Sequence, residues 1–269
     1  MNDKIVFEKS SFSKRMKSML KVDARRMFKS RLFYILIAAS LVMPVLMTVM
    51  MAMMDGSVSV DPQTGVETVM RGPENTWQNI GTLPGGEAMG GNEVFMMCNI
   101  NMMFMAVAVF VCLFISDDFR SGYAKNLFTV RAKKGDYVIS KTLCGFVCGA
   151  LMLIAYFIGS LLGGAIAGLS FDLFGLGVGN IVMCMLAKVF LMLVFVSIFT
   201  LISVAAKQKA WLSICGSLGG GMLLFMMVSM ITPLASTVIN VALCATGGAM
   251  FAFGLGAISK VILQKNSLV

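Results

Sequence analysis

The 269-residue sequence contains no histidine, and only 13% of its residues are charged. Without histidine the chain cannot form a Ser–His or Cys–His nucleophile pair, and it lacks the commonest metal ligand. The phosphate-loop pattern G-x-x-x-x-G-K-[ST] does not occur either. This chain alone is therefore not expected to hydrolyse ATP or to act as an enzyme.

Cysteine is present, but no cysteine lies in a polar loop. The seven cysteines fall in or at the edge of apolar runs: Cys98, Cys112, Cys144, Cys148, Cys184, Cys215 and Cys244. Cysteine in such surroundings behaves as a small buried hydrophobe. We expect neither a disulfide framework nor a metal site.

Apolar residues make up 58% of the chain, and the mean hydropathy is +0.87. Several apolar runs exceed the ~20 residues that a helix needs to cross a bilayer. A spanning helix satisfies its own backbone hydrogen bonds, which lipid cannot do. The sequence therefore predicts an all-α integral membrane protein.

Six spanning helices are predicted in one transmembrane domain, residues 32–263, with an outer loop at residues 55–92. The spans cover about residues 32–54, 93–116, 140–168, 181–206, 210–231 and 239–263. The last apolar block, from residue 210 to 263, would be about 80 Å long as one helix, so it must turn once. Pro233 is the expected break, as a plain loop, a re-entrant segment or a partly buried elbow.

Residues 1–31 form a separate basic segment before the first span. Phe12, Met16, Leu20, Ala24, Met27 and Phe28 recur at helical spacing within it. This pattern is typical of an amphipathic helix in the membrane interface, with cations toward anionic headgroups. A signal peptide is the alternative, but the run that follows is long and no cleavage site is evident.

The basic residues are distributed unevenly. The predicted N-terminal, 117–141, 207–209 and C-terminal segments together hold 20 of the 22 lysines and arginines. The opposite side holds Arg71 against seven acidic residues. The positive-inside rule then places both termini in the cytoplasm, and the net charge of +9 reflects topology, not nucleic-acid binding.

The polar stretch 117–141 lies between the second and third spans. Phe119, Tyr123, Leu127 and Val130 form one apolar stripe of a short helix. We expect Gly135 to end this helix and Asp136 to cap the next one. The helix is either a positive-inside anchor or a docking element, and in the second case Arg120, Ser121, Lys125, Asn126 and Arg131 would be exposed.

The same stretch resembles the first cytoplasmic loop of ABC-2-type transporter permeases. The shared features are a carboxylate pair closing the second span, then Arg-Ser-Gly, a lysine, the basic segment "VRAKKGDY", and the layout of six spans with a large first outer loop. The resemblance implies a cytoplasmic coupling helix that docks on a separately encoded ATPase. It assigns that role to Asp118, Arg120, Gly122, Tyr123, Lys125 and Asn126.

The resemblance also implies partners. We expect two ATPase subunits that bind ATP and Mg, a second permease subunit in a homodimer, and the bilayer. No cofactor is expected on this chain, and the location would be a bacterial plasma membrane.

A few residues are candidates for a translocation path. Lys188 lies inside the fourth span, where it either snorkels, pairs with Glu93 or Asp172, or attracts an acidic part of a cargo. Asn99 and Asn101 could face a cavity or bond between helices. Methionines cluster in the outer halves of the first, second and fifth spans, among them Met47, Met103 and Met226, and they either fill the membrane core or line a path for greasy cargo.

The sequence thus favours an ATP-driven exporter permease, with amphipathic or antimicrobial peptides as cargo, similar to exporters of phenol-soluble modulins or those conferring lantibiotic immunity. A lipid or drug exporter and a non-transporting scaffold or sensor subunit are the alternatives. A secondary transporter is disfavoured because intramembrane carboxylates for ion coupling are lacking beyond Glu93 at a span edge.

Overall fold

A computed structural model describes residues 11–60, 67–69, 72–81, 99–130, 133–173 and 175–265. These residues are almost entirely helical, as the sequence predicts. The helices are α1 (Phe12–Lys29), α2 (Arg31–Met53), α3 (Met102–Arg120), α4 (Tyr123–Val130), α5 (Lys134–Ala167), α6 (Val178–Ala206), α7 (Ala210–Ile231) and α8 (Val238–Lys265). A hairpin of β1 (Val58–Val60) and β2 (Glu67–Val69) and a 3-10 turn, Thr76–Asn79, lie in the long loop after α2.

Six of these helices, α2, α3, α5, α6, α7 and α8, are long and apolar enough to cross a membrane. They correspond in number and order to the predicted spans. The inner three, α3, α5 and α6, bury half or more of their most apolar windows inside the protein, whereas α2, α7 and α8 bury 17% or less. The outer three helices therefore present most of their surface to lipid or to a partner.

Some helix ends differ from the predicted ones. The helix of the second span begins at Met102, after a turn at 99–101, and continues to Arg120; residues 93–98 lie outside the described part of the chain. The helix of the third span already begins at Lys134, because the Lys133 carbonyl accepts the Asp136 and Tyr137 amides. Gly135 therefore lies inside α5 and does not end α4, and Asp136 lies in the first turn and is not the cap.

Helices α2 and α5 approach each other closely through glycine. A Cβ built on Gly159 would lie 2.2 Å from the Leu41 carbonyl oxygen and 2.7 Å from the Pro44 ring. No larger residue fits without moving α2, because the nearest obstacle is backbone. The small-residue spacing in this span thus serves packing within the bundle.

One end of the bundle, here called the basic end, carries α1, α4, the α6–α7 turn and the end of α8. Arg15 of α1 pairs with Asp136 at 3.0 Å, and Lys134 donates to the Leu263 carbonyl of α8. The first and last described residues therefore lie at the same end. Helix α5 has 34 residues, or about 51 Å, so its first turns extend beyond a ~30 Å apolar layer at this end.

The other end, here called the acidic end, is closed by loop segments. The 3-10 turn is buried, and its Asn79 donates to Thr48 Oγ1 of α2 at 2.8 Å. The connection between α7 and α8 is a short elbow at Pro233, as expected, and Thr232, Leu234 and Ser236 in it are fully buried. Of the alternatives for this break, the structure shows the buried elbow.

Candidate functional site

Helix α4 presents a polar outer face at the basic end. Arg120 and Ser121 at the end of α3, and Lys125, Asn126 and Thr129 on α4, are exposed. Arg131 lies outside the described residues. The exposed predicted residues thus share one surface, which agrees with a docking helix but does not by itself identify a partner.

The inner face of α4 is fixed to the bundle. Ala124 is almost fully buried, and Leu127 and Phe128 are half-buried. The Phe128 ring meets the Tyr137 ring of α5 edge-on, with centroids 5.3 Å apart, and Phe119 packs on the same tyrosine. Of the predicted apolar stripe, Tyr123 and Leu127 lie on α4, but Phe119 belongs to the last turn of α3. The prediction of one helix over the whole stripe is therefore wrong, because the turn at Gly122 separates the two helices.

The turn between α3 and α4 depends on Gly122. Its φ is +74°, in the left-handed region that favours glycine. Nothing lies within 4 Å of a Cβ built there, so the backbone conformation alone selects glycine. This turn sets the direction in which α4 leaves α3.

Behind α4 lies a cluster of four charged side chains, here called the ion cluster: Asp23 and Arg26 of α1, Asp118 of α3, and Lys141 of α5. Asp23, Asp118 and Lys141 are all essentially without solvent exposure. Lys141 Nζ lies 2.8 Å from Asp23 Oδ1 and 2.7 Å from Asp118 Oδ2. Arg26 Nη1 approaches Asp118 Oδ1 to 2.6 Å as an ion contact whose angles are not those of a hydrogen bond.

Neutral groups complete this cluster. Ser140 donates to Asp23, and the Tyr137 hydroxyl donates to Asp118 at 3.0 Å. Lys141 Nζ also lies 3.9 Å from the Phe114 ring centroid, a cation–π distance. Two acids and two bases thus form a buried network with no net charge, which links three helices.

Tyr123 connects α4 to this network. The Arg26 guanidinium lies over its ring, 4.2 Å from the centroid. Burial raises the pKa of Tyr123, and the Asp23 carboxylate raises it further, so the phenol stays neutral at physiological pH. Burial lowers the pKa of Arg26, but Asp118, together with Tyr123 and Asp23, raises it, and the net pKa is raised, so Arg26 keeps its charge.

Two interpretations of the sequence need correction here. Asp118, assigned to the docking surface, is fully buried and holds Arg26 and Lys141, whereas its neighbour Asp117 is exposed. Helix α1 does not place its whole apolar stripe in lipid. Its inner face, with Met19, Asp23 and Met27, is buried in the bundle, where Asp23 accepts from Ser140 of α5, while Phe12 and Phe28 are exposed.

The sequence did contain a signal for this cluster. Asp23 is the only acidic residue in α1, among several lysines and arginines. A single carboxylate on a basic helix suggests a specific partner, and Lys141 at the start of a long span suggests another. The fold was needed to show that Asp23 and Lys141 meet each other.

At the acidic end, Lys188 of α6 forms a second buried polar site. It is fully buried, and its ammonium donates to Asn101 Oδ1 at 2.7 Å and to Thr232 Oγ1 at 3.0 Å. Neither Asp172 nor any other described carboxylate forms an ion pair with it, and Glu93 lies outside the described residues. Among the described residues, Lys188 therefore pairs with neutral oxygens on neighbouring segments, and the predicted pairing with Glu93 stays a prediction.

The other path candidates do not share one environment. Asn101 donates to Ser229 of α7 and is buried, and Asn99 accepts the Asn101 amide at the start of α3. Met103 is buried in the core, Met47 is half-buried, and Met226 is 65% exposed on α7. Lys188, Asn101 and Met103 therefore lie inside the bundle and line no open path in this arrangement, because neighbouring helices cover them.

Comparison with known families gives one assignment. The model of the ABC-2 family transporter proteins matches residues 24–223, which include α3, α4, the Gly122 turn and most of the six spans. Neither curated proteins nor solved structures give a match. Because the family model covers well over half of the chain, the protein belongs to the ABC-2 transporter family, whose members are the membrane-spanning permease subunits of ABC transporters.

Proposed function

We propose that this chain is the permease subunit of an ATP-driven exporter, with α4 as the coupling helix that docks on an ATPase subunit. Two ATPases, which bind ATP and Mg, and a second copy of this chain would complete the transporter. The observation that carries the proposal is the two-sided character of α4: its outer face is polar and exposed, and its inner face is held by packing and by the ion cluster.

The orientation rests on charge. The basic end carries α1, which is rich in lysine and arginine, and the basic residues at or next to α4 and at the end of α8: Arg120, Lys125, Lys133, Lys134, Lys260 and Lys265. Positive charge is retained on the cytoplasmic side of a membrane. The basic end would then face the cytoplasm, where ATPase subunits are found.

The ion cluster gives a physical route for the motion. A displacement of α4 acts on Tyr123 and Phe128, which contact Arg26 of α1 and Tyr137 of α5. Arg26 and Tyr137 both contact Asp118 of α3. The motion would therefore pass to α1, α3 and α5 together, since breaking one contact would leave a buried charge without its partner.

Docking is tested by reversing charge on the outer face. Arg120→Glu and Lys125→Glu should each reduce co-purification of the co-expressed ATPase at least tenfold, and the double variant should abolish it. Lys21→Glu, which reverses an exposed charge on α1 away from α4, is the matched control and should retain the ATPase. If the double variant still binds the ATPase and transports, α4 is not the docking element.

For the cargo we favour amphipathic peptides. Methionines and other flexible apolar side chains cover outward faces of α2 and α7, where Met53 is 83% exposed and Met230 is 80% exposed. Such surfaces adapt to apolar ligands of variable shape. If two copies meet along these helices, the path between them would be apolar.

The cargo is tested in inside-out vesicles that contain the permease and its ATPase. A fluorescent amphipathic helical peptide should accumulate with ATP and not with a partner ATPase whose phosphate-loop lysine is replaced. Movement of a labelled phospholipid or a drug without peptide movement would replace the peptide assignment. Absence of any ATP-dependent movement while the ATPase stays bound would indicate a scaffold or sensor subunit.

A further inference from the structure

The basic end contains a groove beside the docking surface and the ion cluster, which shares Arg120 with the docking surface and Arg26 with the ion cluster. It lies between the α1–α2 junction, the last turns of α3 and the turn before α7, and its volume is about 480 Å³. Lys29, Arg120 and the outer edge of Arg26 lie on its polar side, with Asp117 as its one acidic residue. We propose that this groove binds the phosphodiester headgroup of an anionic phospholipid of the inner leaflet.

The groove has unused positive charge. Arg26 is already engaged with Asp118, but Lys29 and Arg120 form no ion pair within the described part of the chain. Both side chains are exposed and lie on different helices, so they can close on an anion from two sides. Basic pockets between spanning helices on the cytoplasmic side are suited to anionic headgroups.

The groove also has an unused hydrogen-bond donor. Ser116 is 3% exposed, lies on the wall of the groove, and its hydroxyl has no hydrogen-bond partner among the described residues. Serine in a helix can satisfy its hydroxyl by donating to the carbonyl four residues before, as Ser203 does with Phe199. A phosphate oxygen in the groove would accept from Ser116 and from Arg120 one turn further along α3.

The remaining wall is apolar and continues toward the membrane core. Leu32 of α2 and Phe110, Leu113 and Phe114 of α3 line it. On both helices the sequence changes from charged to apolar within about two turns, as expected at the level of lipid headgroups. The groove can therefore hold a phosphate at its polar side and an acyl chain along its apolar side, a combination that a free phosphate would not use.

The test uses the purified permease alone, so that ATPase docking cannot affect the result. Native mass spectrometry after titration with phosphatidylglycerol should retain one bound lipid, and phosphatidylethanolamine should not compete. Lys29→Gln and Arg120→Gln should each weaken binding about fivefold, since one cation near a membrane surface contributes about that factor. Lys21→Gln, with the same change at an exposed position outside the groove, should bind like the unmodified protein, and Ser116→Ala should weaken binding.

A variant that fills the groove provides an independent arm. Leu113→Trp keeps every charge but fills space along the apolar wall, so it should weaken lipid binding. Binding of inorganic phosphate should be unaffected, because phosphate needs no apolar wall. The proposal is overturned if Lys29→Gln and Arg120→Gln retain the lipid, if Lys21→Gln loses as much, or if millimolar phosphate displaces phosphatidylglycerol. It is also overturned if the groove variants change the oligomeric state and not lipid binding, because the occupant would then be a second copy of the chain.

Discussion

The two ends of the bundle bury charge in different ways. At the basic end, Asp23, Asp118, Arg26 and Lys141 neutralise one another. At the acidic end, Lys188 is equally buried, but its acceptors are the neutral oxygens of Asn101 and Thr232. The first site contains matched charges, whereas the second contains a single cation without a counter-ion among the described residues.

The two sites therefore differ in how easily the contacts of their buried charges can be changed. A paired buried charge resists change, because removing one partner exposes the other to an apolar environment. A cation held by neutral acceptors can exchange one of them for an anion at lower cost. The helices of the ion cluster are therefore harder to separate than the contacts of Lys188 are to exchange.

The largest effect should come from removing one charge of the ion cluster. Lys141→Met leaves Asp23 without its closest cation and Asp118 with Arg26 alone, so we expect a loss of about 3–5 kcal/mol of stability. For a protein of this size such a loss lowers Tm by roughly 10 °C, measured by thermal unfolding in detergent. A Tm close to that of the unmodified protein would show that the cluster is not a paired network.

A smaller loss is expected at the turn that directs α4. Gly122→Ala places a Cβ on a left-handed backbone and should cost about 1–2 kcal/mol. ATPase co-purification should fall with it, because α4 would leave α3 in another direction. Gly135→Ala is the matched control, because Gly135 has a helical backbone in the first turn of α5 and a Cβ there would lie 3.5 Å from its nearest neighbour, so it should lower neither quantity.

At the acidic end the matching substitution should do much less. Lys188→Met removes a buried cation that has no counter-ion among the described residues, and burying such a cation costs up to about 2.5–3.5 kcal/mol at the bilayer centre. It also leaves Asn101 Oδ1 without its donor, which costs about 1–3 kcal/mol. The two contributions oppose each other, so Tm should shift by only a few degrees, and a loss as large as that of Lys141→Met would indicate a hidden carboxylate partner.

The same Lys188→Met variant has a second readout. If it folds as expected but transport in vesicles falls, Lys188 acts on the cargo or on the path and not on stability. If transport is unchanged, the residue is a packing element between α3, α6 and the elbow.

The smallest effect is expected where the basic end has a partly exposed pair. Arg15 and Asp136 are 3.0 Å apart, but the arginine side chain is 24% exposed. Solvent screening limits such a pair to about 0.2–1 kcal/mol. Arg15→Gln should therefore lower Tm by at most a few degrees, and a loss comparable to Lys141→Met would mean that burial does not distinguish the two pairs.

The sequence was sufficient for the six spans, because run length and hydropathy determine which segments can cross a bilayer. The exposure of Lys125 and Asn126 on α4, and of Arg120 just before it, could also be predicted, since all three lie off the apolar stripe. The burial of Asp118 could not be predicted from the sequence. Asp117 and Asp118 are the same residue type at neighbouring positions. Because α3 continues to Arg120, Asp117 faces outward and Asp118 faces into the bundle.

Long-range pairing explains the other differences. Lys188 suggested a carboxylate partner, but the elbow brings Thr232 to it from 44 residues away. Asp23 meets Lys141 across 118 residues. Neither approach follows from periodicity, which reports only which face of a helix is apolar.

The proposed coupling requires α1 and α4 to move as one body, because Tyr123 of α4 contacts Arg26 of the ion cluster. Spin labels on non-canonical amino acids at positions 21 and 126, both exposed in the structure, measure the distance between these helices in the reconstituted permease–ATPase complex. We expect one narrow distance distribution that is unchanged when ATP binds, and a broad distribution in Lys141→Met. A distance that changes by several ångströms on ATP binding in the unmodified protein would show that α1 and α4 move separately.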